Sequence, residues 1–152
     1  GEIRPVKNLA FSLAPRVQYA KKALLSFEEF STGNYTVGRG YDPGILSGDR
    51  GVAAAGEIKV GSLIAKTTKS VAVQGYVFGD AAVVWNRDTD LRSLNPQKLY
   101  SAGGGVRLGY GQRINLDLGA AVPLKRAGLQ TKRGDVRILA NLTIRLIPWK
   151  RQ

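Results

Sequence analysis

Val71-Ala-Val-Gln-Gly-Tyr-Val-Phe-Gly-Asp80-Ala-Ala-Val-Val-Trp85-Asn86 decides the fold. Val71, Val73, Gly75, Val77, Gly79, Ala81, Val83 and Trp85 share one parity. Ala72, Gln74, Tyr76, Phe78, Asp80, Ala82, Val84 and Asn86 share the other. A period of two belongs to a strand whose faces meet different surroundings. The run is about twice the 5–6 residues of an ordinary soluble strand. Asp80 falls in its middle, where a charge needs a partner.

The pattern repeats outward in both directions. Leu9, Phe11, Leu13, Val17 and Tyr19 alternate with polar residues over 8–20, where Pro15 predicts a bulge or a strand end. Residues 51–63 place Val52, Ala54, Gly56, Ile58 and Val60 opposite Ala53, Ala55, Glu57 and Lys59. Residues 99–110 align Tyr100, Ala102, Gly104, Val106, Leu108 and Tyr110. In 113–124, Ile114, Leu116, Leu118, Ala120, Val122 and Leu124 oppose Arg113, Asn115, Asp117 and Gly119. In 136–147, Val136, Ile138, Ala140, Leu142, Ile144 and Leu146 oppose Arg137, Asn141, Thr143 and Arg145. The inventory is six strands of about a dozen residues, no helical pattern, and turns that alternate short and long.

Such lengths match tilted strands crossing a bilayer, and Tyr19, Trp85, Tyr100, Tyr110 and Trp149 near strand ends match an aromatic girdle. The expected fold is all-β: an antiparallel transmembrane β-barrel segment with one face to lipid and one to a polar lumen. A soluble basic β-barrel binding module is the alternative, because parity does not say which face is inside. The lipid reading makes arginine costly at Leu116 and mild at Asn115.

Between the first two strands lies Tyr35-Thr-Val37-Gly38-Arg39-Gly40-Tyr41-Asp-Pro-Gly44, followed by Gly48-Asp49-Arg50-Gly51. Gly, Pro and Asp exclude helix or central strand and predict a long, shaped loop over about 21–50. Glycines flanking Arg39 allow the loop to pack close to a wall, and Arg39 there needs a carboxylate or water, with Asp80 the candidate carboxylate. The other reading is a solvent-exposed hairpin turn. Glu28 and Glu29 are adjacent on extended chain and diverge, so they read as a solvated pair.

Composition narrows the function. The chain has 152 residues, no Met, and Gly at position 1, so it reads as a processed or excised piece. With no Cys and no His, disulfides, thiolate nucleophiles, His bases and almost all zinc or copper sites are excluded. An enzyme is not expected, and neither a cofactor nor a metal. Asp88 and Asp90 lack the Gly and distal Glu of a calcium loop, and Gly103-Gly104-Gly105 lacks the Lys-Ser/Thr of a phosphate loop. The net charge of +12 is scattered and not interleaved with aromatics, which argues against nucleic acid.

Val37-Gly38-Arg39-Gly40-Tyr41 resembles the Val-Arg-Gly-Tyr loop motif of the two-partner secretion transporters, the haemolysin-activator and filamentous-haemagglutinin exporters, with an extra Gly38. Gly48-Asp49-Arg50-Gly51 is similar to the family's Gly-Asp-x-Gly. Phe78-Gly-Asp80-Ala-Ala82 is similar to its Phe-x-Asp-x-Gly, with Ala82 in place of the last Gly. The likeness runs from about Asn8 to Trp149. It implies that residues 1–152 are the C-terminal part of a sixteen-stranded barrel in a Gram-negative outer membrane, with POTRA domains and the earlier strands lying elsewhere. This chain then supplies the last six strands and a lumen-plugging loop whose arginine pairs with the strand acid. The implied activity is export of an unfolded secreted passenger protein. The related barrel-assembly insertases are the alternative. Because six strands cannot close a barrel and open edges are not tolerated in lipid, the remaining strands are expected partners, as is outer-membrane lipid.

Overall fold

The computed structural model describes residues 1–33, 37–65, 67, 69–87, 95–111, 113–127 and 133–146. Seven antiparallel strands form one unclosed sheet in sequence order: β1 (Glu2–Val6), β2 (Leu9–Gln18), β3 (Arg50–Gly61), β4 (Val71–Trp85), β5 (Gln97–Tyr110), β6 (Ile114–Pro123) and β7 (Arg137–Ile144). The all-β antiparallel expectation holds, with one correction in number: β1 is a seventh strand. Its five residues include Pro5, too few and too irregular to show a period. A two-residue turn nevertheless folds it onto β2, pairing Val6 with Leu9, and Asn8 adopts φ 69°. Asparagine tolerates that left-handed backbone better than most residues.

Pro15 also departs from expectation. It sits in regular register opposite Ala54. The Leu13 N–H bonds to Gly1 on the β1 side. Pro15 shares that parity and lies beyond the end of β1, so its missing N–H breaks no ladder bond.

Register joins the apolar parities of all the long strands into one surface. Phe11 lies beside Ile58, Ile58 beside Val77 and Val77 beside Gly104; Leu118 lies beside Val106 and Ala140. Val17, Val60, Val71, Val77 and Leu142 are each more than half exposed on that surface. Among the described residues nothing covers it, since the 19–49 loop packs on the other face. The apolar parities of the long strands thus form one contiguous exposed face. Trp149 and the Asp88–Asp90 segment lie outside the described residues.

The opposite face has two levels. At the end where β2 joins β3, Phe30, Val37, Tyr41 and Leu46 of the loop bury against Ala53, Ala82, Val84 and Leu99. Below them the face turns polar, with Glu57, Tyr76, Asp80, Arg107 and Asp117. The loop is therefore no solvent-exposed turn. Each of its four buried apolar side chains contributes about 1.5–3 kcal/mol toward seating it.

Candidate functional site

Two stretches of the loop pair with each other before it reaches the wall. Phe30 and Gly48 exchange backbone hydrogen bonds, and the Thr32 N–H donates to Leu46 O. This finger carries residues 37–44 down the inner face. Asp49, 2% exposed, holds its base: one carboxylate oxygen accepts Leu24 N at 2.5 Å and the other accepts Arg87 N at 2.6 Å. Gly48 and Gly51 are required by space. A Cβ at Gly48 would stand 2.6 Å from Val84 Cγ1, and one at Gly51 would enter the Phe30 ring. Arg50 bonds Ala20 O and stacks on the Tyr19 ring.

At the tip, Gly38 has φ 84°, a left-handed backbone that favours glycine. Its N–H and that of Arg39 both donate to Asp80 Oδ2, at 3.0 and 2.9 Å. The Arg39 side chain returns to the same carboxylate, Nη2 to Oδ1 at 2.9 Å and Nε to Oδ2 at 3.2 Å. Ser101 Oγ donates to Oδ2 as well, at 3.2 Å. The guanidinium lies 3.5 Å over the Phe78 ring, which explains the phenylalanine two residues before the acid: alternation puts ring and carboxylate on one face. Burial works against the Arg39 cation, but Asp80 and then Glu57 outweigh it and hold the group above the usual arginine range.

Gly40 and Tyr41 seat the finger sideways. A Cβ at Gly40 would stand 2.8 Å from Pro123 N. The Tyr41 hydroxyl, buried between β5 and the chain after β6, lies 2.9 Å from Tyr100 O and 2.6 Å from Lys125 O and donates its one proton to this carbonyl pair. Val37 is buried in the apolar cluster beside Leu99 and Val84. Val37, Gly38, Arg39, Gly40 and Tyr41 thus converge with Phe78 and Asp80, whereas Gly48, Asp49 and Gly51 organise the base of the finger.

A second tier was not anticipated from the sequence. Arg39 Nη1 donates to Glu57 Oε2 at 3.0 Å. Glu57 is shared with Arg107, whose Nη1 reaches Oε1 at 2.5 Å, while Arg107 Nε reaches Asp117 Oδ2 at 2.9 Å. Arg107 lies 4.0 Å over the Tyr76 ring, and the Tyr76 hydroxyl donates to Asp117 at 2.7 Å. The tiers repeat one design, an arginine on an aromatic ring between two carboxylates, with Glu57 common to both. Its only sequence signal is that Glu57 and Arg107 fall mid-strand on inward parities. Their proximity depends on register across three strands.

The Gly103–Gly105 run has its reason here. A Cβ at Gly103 would stand 2.6 Å from Phe78 Cζ, and one at Gly105 would stand 2.8 Å from the Tyr76 hydroxyl. Small neighbours let the two rings lie flat as platforms. Gly103→Ala is expected to displace Phe78 and cost about 1–3 kcal/mol by overpacking, read as a lowered midpoint of thermal unfolding in detergent. Gly75→Ala, with open space around its Cβ, is the control.

Among the described residues no buried side-chain N or O lacks a partner, and no acidic cluster converges to hold a metal ion. The site is therefore a network of paired charges that joins a loop to a strand wall. The sequence signature of the haemolysin secretion/activation proteins ShlB/FhaC/HecB matches residues 3–108, well over half of the chain, taking in the loop motif, Phe78, Asp80 and Arg107. The chain belongs to the ShlB/FhaC/HecB family. Among curated proteins, no individual sequence matches it significantly. ShlB/FhaC/HecB proteins are two-partner secretion transporters of Gram-negative outer membranes rather than enzymes, and they serve a secreted partner protein. The strands β6 and β7, beyond the matched span, continue the sheet in register.

Proposed function

We propose that this chain forms part of the wall and the gate of an outer-membrane pore exporting an unfolded passenger, with the remaining strands and POTRA domains supplied from elsewhere. The observation that carries this reading is the Arg39–Asp80 contact, in which a loop tip is fastened to the middle of the polar face by a buried ion pair. Export without nucleotide needs a lumen that is closed at rest and yields to an extended chain. A latch of two carboxylates and one guanidinium suits that task, because the net stabilisation of a buried pair is modest once desolvation is counted while its geometry is specific. The inward Asn, Gln, Arg and Asp side chains give the open path hydrogen-bonding walls.

In the full transporter, Arg39→Ala is expected to lower passenger secretion at least tenfold while heat-modifiable mobility stays normal, the loss of about 1.4 kcal/mol or more of loop-seating free energy corresponding to that factor. Arg39→Lys keeps the charge but loses the fork and the flat ring contact, so it falls between. Normal secretion by Arg39→Ala and Asp80→Ala alike refutes the latch. Intact secretion with failed assembly of other barrels instead indicates insertion.

A further inference from the structure

The geometry points to a binding site for a phosphorylated glycolipid of the outer leaflet, of the lipid A type, at the rim where β2, β3 and β4 end. A cavity of about 570 Å³ opens there, lined by Val17, Tyr19, Arg50, Val52, Trp85 and Arg87 among others. Val17 and Val52 are 72% and 48% exposed and belong to the apolar face, so the floor of the cavity is continuous with the lipid-facing surface. At the edge of that floor stands the Arg50 guanidinium.

Arg50 differs from the other arginines on the loop-bearing face. Arg39, Arg107 and Arg137 each meet a carboxylate. Among the described residues Arg50 meets none: Nε donates to Ala20 O at 2.9 Å, Nη2 donates to the Tyr19 hydroxyl at 3.2 Å, and the group lies 4.2 Å over the Tyr19 ring. The contacts orient the cation and leave its charge uncompensated at an apolar edge. Lys98, exposed beside Val83 on the same parity, adds a second positive charge along this rim. An apolar floor beneath oriented cations fits a ligand that is acyl chain at one end and phosphate at the other.

The rim can be assigned to a leaflet. The connections at this end span 19–49, 86–96 and 124–136, whereas those at the other end span 7–8, 62–70 and 111–113. Outer-membrane barrels carry long loops outside and short turns on the periplasmic side. The outer leaflet is where phosphorylated glycolipid resides. The scattered positive charge of the chain thereby acquires a partner at this end. This inference rests on the outer-membrane reading but not on the latch.

The test is photo-crosslinking of the full transporter in cells, with the crosslinker placed at Val17 or, on the same face at the opposite end, at Val73. Val17 is expected to give a lipopolysaccharide adduct and Val73 none. Arg50→Gln should lower the Val17 adduct about fivefold or more, the scale of one charge-assisted contact, and Arg50→Lys should retain most of it. In purified transporter, lipid A should compete for the adduct, while dephosphorylated lipid A and millimolar inorganic phosphate should not. Equal adducts at both positions, no adduct at Val17, an adduct indifferent to Arg50, or competition by free phosphate alone would each overturn the site. Arg39→Ala leaves the Val17 adduct unchanged if the site is independent of the latch, and secretion in the same cells reports the latch by itself. The Val17/Val73 comparison keeps Arg50 intact, so it stands even if Arg50→Gln disturbs the rim.

Discussion

Asp80→Ala is expected to unseat the loop tip and to abolish passenger secretion, with the barrel still assembled. Asp80 accepts from two backbone N–H groups, from the Arg39 side chain twice and from Ser101. Its loss removes the carboxylate that binds the Arg39 fork and two backbone amides, and leaves a guanidinium that is 10% exposed with Glu57 as its remaining acidic partner. Breaking a buried pair from one side costs about 3–5 kcal/mol when the surviving charge is left alone, and the pairing with Glu57 sets the cost here toward the lower end of that range. The apolar side chains still anchor the rest of the loop, so it is the tip around Arg39 that lifts from the wall and hydrates its charge. Protease sensitivity at the 37–44 tip, absent in the wild type, is the direct readout. Glu57→Gln should be much milder, because Asp80 retains Arg39 and Asp117 retains Arg107. Equal effects of the two substitutions would mean that the latch is centred on Glu57.

Leu118→Arg is the second large effect. Leu118 is 45% exposed in the middle of β6 and flanked by Val106 and Ala140 on the bare face. If that face meets lipid, arginine at mid-depth costs about 2–4 kcal/mol, and Leu116→Arg, nearer the strand end, costs less. Asn115→Arg, on the other parity, should be mild. Folding titrations into lipid vesicles measure all three. A flat response across them would place the apolar face away from the membrane.

The motif explains itself once the loop is docked. Gly38 supplies a backbone turn, Arg39 the charge, Gly40 the clearance past Pro123, and Tyr41 a hydroxyl between two carbonyls. The strand motif supplies the complementary half: a ring to lie on and a carboxylate to receive the charge. Ala82, at the place of the motif's last Gly, is 1% exposed and packs in the apolar cluster beneath the finger.

By itself the sequence determined the six long strands and which residues share a face in each. Side-chain direction in a strand follows from a period of two, a local property of the backbone that alternation from Val71 to Trp85 or Ile114 to Leu124 displays directly. It also singled out Arg39 and Asp80, because a glycine-flanked arginine and a mid-strand acid each demand a partner. Only the tertiary structure decided the rest. Residues 2–6 became a strand through a two-residue turn whose signal is a single asparagine. Pro15 kept its register because one edge of β2 is open beside it. Glu57, Arg107, Tyr76 and Asp117 became a second tier because register brings β3, β4, β5 and β6 side by side. A one-residue slip in any of those pairings would turn the charges to the other face. Register is set by long-range pairing, and no local pattern in the chain encodes it.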